Sequence, residues 1–296
     1  MRKRFTLSVI LLLLHVSILS ANAFGASLFN KANAPHQMLL FLLKKTNIPH
    51  DRTKKTILKE TQKEWLRKPM EERWEMKVGQ YESEREAFMR AFEALGYVKG
   101  HDPKYKSYTG AVVMGATLPR VLKRLNYLLK LLKQGIRIEK IYFLSGQRPL
   151  DPKVDILPPG TLVAHDTSSH QTEVEMMVWV YNQMDFAPYL GDAQPIIIDS
   201  SMKMNADGVF VRPITDDTIE ELRKTQPMKK GRYLVISNWP YATYQGKVFK
   251  SKFDILQKDK KPMYAIETVG EDAVPSLPIE IYLDTIARDI YANTAR

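Results

Sequence analysis

The sequence predicts an α/β fold: a Rossmann-like three-layer sandwich with a mainly parallel five-stranded sheet, preceded by an α-helical N-terminal region. Three observations carry this expectation. The stretch from Tyr108 to Gly146 reads as one βαβ unit; short apolar runs then alternate with helical periods to the C-terminus; and the charged segment before Tyr108 holds helical patterns but no strand pattern. Strands that alternate with helices specify a parallel sheet covered on both faces, because parallel neighbours need a crossover connection.

Within the βαβ unit, the apolar run at residues 111–114 ends in Gly115. A helical period follows over residues 119–134, with Val121, Leu122, Leu125, Leu128, Leu129 and Leu132 three or four apart. Thr117 supplies a cap, Pro119 sits in the first turn where a missing N–H costs nothing, and Gly135 supplies the stop. A second apolar run, residues 138–144, ends in Ser145-Gly146. Downstream the pattern gives a helix over 172–184, a strand at 195–198, an irregular insertion at 202–213 and a short helix from Asp216 or Asp217 to Lys224. A strand at 232–236, a helix at 243–253, a strand at 263–268 and a last helix at 279–291 complete it. Upstream, residues 36–45, 51–67 and 71–95 read as helices, the last with Phe88, Phe92 and Leu95 on one apolar stripe. Residues 24–107 are thus expected to form a helical layer covering a face or edge of the α/β domain, which takes in 108–296.

The first 23 residues have the pattern of a signal peptide. Arg2, Lys3 and Arg4 precede an apolar segment, Phe5 to Leu19, and Ala21-Asn22-Ala23 has the small-x-small form of a cleavage site. The rival reading is an uncleaved inner-membrane anchor, but 15 apolar residues fall short of the roughly 20 that span a bilayer. A periplasmic or secreted protein is expected. The chain has no cysteine, so stability in an oxidising compartment must come from packing. The formal net charge of +11 falls to +8 once Arg2, Lys3 and Arg4 are removed, a balance that favours anionic partners.

In an open parallel sheet, ligands bind beyond the carboxyl ends of the strands. There the sequence places Gly115 and Thr117 after the first strand, and Ser145, Gly146 and Gln147 after the second. Asp199 and Ser200 follow the third, and Ser237, Asn238 and Tyr241 the fourth. Arg120 stands in the first turn of a helix, where a cation opposes the macrodipole and gains most from an anion held between it and the free N–H groups. Glu173 opens the helix after a long polar loop and is the expected general base, with Asp199 the other carboxylate candidate. The sequence around Gly115 is not GxGxxG, so no dinucleotide fingerprint is present, and the absence of GxSxG disfavours Ser145 as a nucleophile. His165, Asp166 and His170 lie close together in the polar loop but are read as surface, and no metal is expected.

This series resembles the bacterial envelope family of unknown function that includes SanA, ElyC and YdcF. The resemblance rests on Gly115 and Arg120, Ser145-Gly146, the run TEVEMM at 172–177, an acid and serines after the third strand, and VISN at 235–238. It implies a Rossmann-like fold, a polar pocket at the strand ends and a link to cell-envelope biogenesis, with a nucleotide-like or S-adenosylmethionine-like ligand. Arg120, Ser145, Gly146, Glu173, Ser200 and Ser237 are the matching polar positions, while Tyr241 and Tyr244 stand where relatives often carry His and Arg. The expected function is an exported, envelope-associated protein that binds a small anionic or nucleotide-like ligand. Any catalysis would use Glu173 or Asp199 as base and Arg120 against negative charge. The alternative is a non-catalytic module for an anionic envelope polymer or a partner protein. No nucleic-acid partner is expected, and the cofactor is unknown from sequence.

Overall fold

A computed structural model describes residues 27–68, 71–157, 171–191, 193–253 and 263–293. The leader at 1–23 and His165, Asp166 and His170 lie outside the described residues. Five strands, β1 (Gly110–Met114), β2 (Ile141–Gly146), β3 (Ile196–Ser200), β4 (Gly231–Asn238) and β5 (Tyr264–Glu271), form one sheet in the order β3-β2-β1-β4-β5, and every pairing is parallel. Every residue of β1 and β2 is buried. Strands covered on both faces lose the alternation of a half-exposed sheet, which is why they read as unbroken apolar runs.

The two faces have separate cores. Helices α4 (Leu118–Lys133) and α5 (Glu173–Asn182) pack Val121, Leu125, Leu128, Met176 and Val180 against Ala111, Val113, Phe143 and Leu234. On the other face, α6 (Thr215–Thr225) and α7 (Ala242–Phe253) pack Ile219, Leu222 and Phe249 against Val112, Met114, Tyr142 and Val235. Adjacent residues of β1 therefore serve opposite layers, as the two-residue period of a strand requires.

The N-terminal region contains α1 (Gln37–Lys45), α2 (Lys54–Glu64) and α3 (Arg85–Ala94). His36 and Thr53 cap the first two, their side chains accepting from the N–H groups of Met38 and Thr56. The expected helix over 71–95 forms only in its second half. Residues 71–80 are irregular, and Gly79 adopts φ of +94°, outside the helical range. This irregular segment is held from below by α8 (Ile279–Ala292), whose Glu280, Asp284 and Arg288 recur four apart on one face. Gln80 N–H donates to Glu280 (2.8 Å), Arg67 N–H donates to Asp284 (3.2 Å), and Arg73 Nε lies 3.4 Å from Asp284. Helix α8 also shares the core of the N-terminal helices: Phe92 stacks on Tyr282 at 4.6 Å, and Leu42, Ile57 and Phe88 join Leu283 and Ile286.

Two further differences are local. The insertion at 202–213 contains a two-stranded antiparallel ribbon, Lys203–Met204 with Phe210–Val211, turned by Asn205, whose side chain accepts from the N–H groups of Asp207 and Val209. A separate short parallel pair, Ser107–Tyr108 with Arg137–Ile138, takes the start of the second apolar run away from the main sheet. Among the described residues no helix is long and apolar enough to cross a membrane.

Asp284 is fully buried and accepts both Nε and Nη2 of Arg288 at 3.1 Å. Burial opposes its ionisation, but Arg73 and Arg288 overcome that and hold its carboxyl below the ordinary aspartate value. A depressed folded-state pKa contributes stability that is complete above the unfolded value and is lost as pH falls through the folded one. Asp284→Asn is therefore expected to lower stability at pH 7 by about 3–5 kcal/mol in urea denaturation, since it leaves buried arginines without their counter-charge. The gap between variant and wild type should close on acidification below about pH 4.

Candidate functional site

The sheet order sets the position of the site. The helices after β1 and β2 pack on one face and those after β3 and β4 on the other, so the direction of winding reverses between β1 and β4. A crevice opens at such a reversal, outside the carboxyl ends of the strands. Four helices begin around it: Arg120, Glu173, Thr215 and Tyr244 line the crevice from the first turns of α4, α5, α6 and α7. Residues 71–80 close the crevice from the N-terminal side, giving a cleft of about 120 Å³. That is room for about four waters at their liquid volume, the scale of one phosphoryl-sized group.

Seven arginines line this cleft: Arg67, Arg73, Arg120, Arg124, Arg148, Arg212 and Arg288. Among the described residues four carboxylates are in contact with them, an excess of three positive charges. Asp284 engages Arg73 and Arg288, and Glu72 engages Arg212 (3.1 Å) and Arg67 (3.5 Å). Asp155 and Glu173 both engage Arg148. The remaining two arginines form no ion pair among the described residues. Arg124 is buried and donates only to neutral oxygens: the carbonyls of Met114 (2.6 Å) and Gly115 (2.8 Å), Asn238 Oδ1 (2.8 Å) and Ser237 Oγ (3.2 Å). Arg120 has no hydrogen-bond or ion-pair partner among the described residues, and its guanidinium lies 4.7 Å from the Tyr241 ring centre. Arg73 lies over the same ring at 4.3 Å.

This crowding of cations shifts their proton affinities. Burial, with Arg120 beside it, pushes Arg124 down to about 9, and burial with Arg73, Arg288 and Arg212 nearby pushes Arg67 down to about 10. Burial also lowers Arg120 and Arg212. The Tyr244 phenol moves the other way from a buried tyrosine. Burial opposes its ionisation, yet Arg73 and Arg288 hold its pKa below the ordinary value. The buried Tyr241 hydroxyl has no hydrogen-bond partner among the described residues.

A second network crosses the floor of the cleft. Ser145 Oγ donates to Glu173 Oε1 (2.9 Å), and Arg148 Nε donates to Glu173 Oε2 (2.7 Å). Arg148 is held in turn by a bidentate pair with Asp155 (2.8 and 3.0 Å), and Asp155 Oδ1 accepts from the N–H of Leu118 at the start of α4 (3.0 Å). Burial opposes ionisation of Asp155, and Arg148 overcomes it. Gly115 leaves the space that Glu173 occupies: a Cβ there would stand 2.1 Å from Oε1.

Of the residues read from sequence, Gly115, Thr117, Arg120, Ser145, Gly146, Glu173 and Tyr241 line the cleft together. Ser237 and Asn238 lie behind it, where they hold Arg124. Asp199 and Gln147 are outside, joined to each other at 3.1 Å on the sheet edge. The face alternation of β3 explains this: Ile197 and Asp199 are exposed beside α5 while Ile198 and Ser200 are buried, so Asp199 is turned from the cleft. Ser200 does not line the cleft either; its Oγ is buried with no hydrogen-bond partner among the described residues, and its carbonyl accepts from Gln147 N–H. Sequence reading missed Arg67, Glu72, Arg73, Arg148, Asp155, Arg212 and Arg288. Arg124 left a signal, a cation inside the apolar stripe between Val121 and Leu125.

A larger cavity of about 480 Å³ lies between the N-terminal region and β5, but its buried carboxylates are engaged, Glu267 by Tyr108 and Asp289 by Tyr97 and Lys247. Among the described residues no group of His, Cys, Asp and Glu side chains could hold a metal ion. Compared with protein-family models, curated proteins and solved structures, the chain matches none.

Gly115→Ala is expected to displace Glu173 and to cost about 1–3 kcal/mol in urea denaturation, the usual range for overpacking a filled site. An unchanged midpoint would mean that the Glu173 carboxylate is not fixed where Gly115 admits it.

Proposed function

We propose that this is an exported, envelope-associated protein whose strand-end cleft binds a small, multiply charged anion of the phosphate or phosphate-ester class, nucleotide-like ligands included. One observation carries the reading: among the described residues, seven guanidinium groups share a narrow cleft with four carboxylates, and Arg120 has no hydrogen-bond or ion-pair partner. Burying like charges without counter-charge is unfavourable, and an anion in the cleft relieves both the repulsion and the lost hydration. Guanidinium forks match phosphate oxygens in shape as well as in charge. The first turns of α4, α5, α6 and α7 add their positive dipole ends.

The small volume of the cleft, about 120 Å³, favours a small ligand over the alternative of an anionic polymer, which an extended basic groove would suit. The signal-like start of the sequence and the resemblance to the SanA, ElyC and YdcF family support placement in the cell envelope. Both belong to the proposal.

Inorganic pyrophosphate is the simplest probe. At about 100 times its dissociation constant it should stabilise the protein by about 2.7 kcal/mol, a rise in Tm on the order of 5 °C for a chain of this size. Sodium chloride at matched ionic strength should give little change. Arg120→Ala should lose most of the pyrophosphate response. Equal shifts with pyrophosphate and chloride would overturn the reading.

A further inference from the structure

The floor of the cleft contains more than a binding site requires. A serine hydroxyl in a buried position needs only a carbonyl to accept from it, whereas Ser145 donates to a buried carboxylate. Holding Glu173 there takes an arginine, and holding that arginine takes a second buried acid, Asp155, tied to the start of α4. A hydroxyl in hydrogen-bond reach of a base, with the base oriented by a third group, is the arrangement that activates a weak nucleophile. The GxSxG elbow is one way to present such a serine. The carboxyl end of β2 is another, since Ser145 and Gly146 close the strand at the floor of the cleft.

Resting on the anion-binding reading above, we propose that the cleft is catalytic, with Ser145 as the nucleophile and Glu173 as the base in the hydrolysis of a phosphate monoester. The surroundings select phosphoryl over acyl chemistry. A carboxylic ester presents a neutral carbonyl, for which an excess of three cations is poorly matched, whereas a phosphate monoester brings a dianion. Arg73 and Arg120, both over the Tyr241 ring, are placed to take its non-bridging oxygens. Arg124 adds fixed positive charge behind Gly115 while its own hydrogen bonds stay with the strand ends. Cations placed in advance around a transferring phosphoryl group stabilise its transition state.

In the first step Ser145 Oγ attacks phosphorus, the bond from phosphorus to the leaving oxygen breaks, and the serine proton passes to Glu173 Oε1. The leaving alkoxide takes a proton from water, and the hydroxide so formed removes the proton from Glu173. In the second step Glu173 takes a proton from a water that attacks the phosphoserine, and the phosphorus–Oγ bond breaks. Ser145 Oγ recovers its proton from Glu173. The sum is monoester plus water giving alcohol plus inorganic phosphate.

The test uses p-nitrophenyl phosphate with the mature protein, Ser145→Ala and Glu173→Gln, followed by release of p-nitrophenol and by peptide mass after acid quench. Wild type should turn over and carry one phosphoryl group on Ser145. Ser145→Ala should lose both turnover and label, and Glu173→Gln should slow turnover about 10²- to 10⁴-fold, the range for a lost general base. Ser145→Ala should keep the pyrophosphate-induced rise in Tm, which shows that the variant is folded with its cleft intact. Absence of turnover in a wild type that responds to pyrophosphate overturns the catalytic inference and leaves the binding reading standing. Full activity in Ser145→Ala, or a label on another residue, also overturns it. A wild type that gives neither turnover nor a pyrophosphate response sinks both.

Discussion

Among the described residues, seven guanidinium groups share one narrow cleft with four carboxylates, and a protein interior tolerates that inequality only at a cost. Unlike exposed lysines, these groups have surrendered much of their hydration, and several repel one another at close range. Core packing does not explain the arrangement. Leucine at the positions of Arg120 or Arg124 would continue the apolar stripe of α4 without a charge to neutralise. On the proposed reading, an excess of buried cations provides a site preorganised for an anion, because the hydration has been given up before the ligand arrives.

The cleft exists because two parts of the chain remote in sequence meet over α8. The α/β layers supply the floor and three walls: strand ends that point one way and helices that start where the strands stop. The roof comes from residues 71–80, and its central cation is Arg73. Asp284 ties these together, since it accepts from Arg288 on its own helix and from Arg67 and Arg73 across the seam. Phe92 on Tyr282 and the shared core around Leu283 and Ile286 secure the same contact with apolar surface. The N-terminal region thus supplies one wall of the site, through Arg67, Glu72, Arg73 and Trp74, and is more than a cover for the sheet.

Much of the architecture was legible in the sequence because parallel strands buried on both faces read as unbroken apolar runs, and the helices between them keep a 3.6-residue period. Gly115, Arg120, Ser145 and Glu173 followed, since strand ends and first turns fix where such residues meet. Asp199 did not, because a single step along an edge strand reverses the face. Arg67 and Arg73 were not legible either. In a charged segment, local periodicity assigns such residues to a solvated face, and only the tertiary approach to Asp284 turns them inward. Gly79 marked the break in the helix expected over 71–95, yet a lone glycine inside a helical pattern is a weak stop. Arg124, a cation set among Val121, Leu125 and Leu128, was the one hidden site residue whose position in the pattern was itself a clue.

The most direct measurement of the central claim is a crystal of the protein soaked in tungstate, a tetrahedral dianion located by its anomalous scattering. An ordered tungstate between Arg73 and Arg120, beside Ser145, is the predicted result. Tungstate bound only at surface lysines, with the cleft filled by water, would contradict the claim that the unbalanced arginines form an anion site.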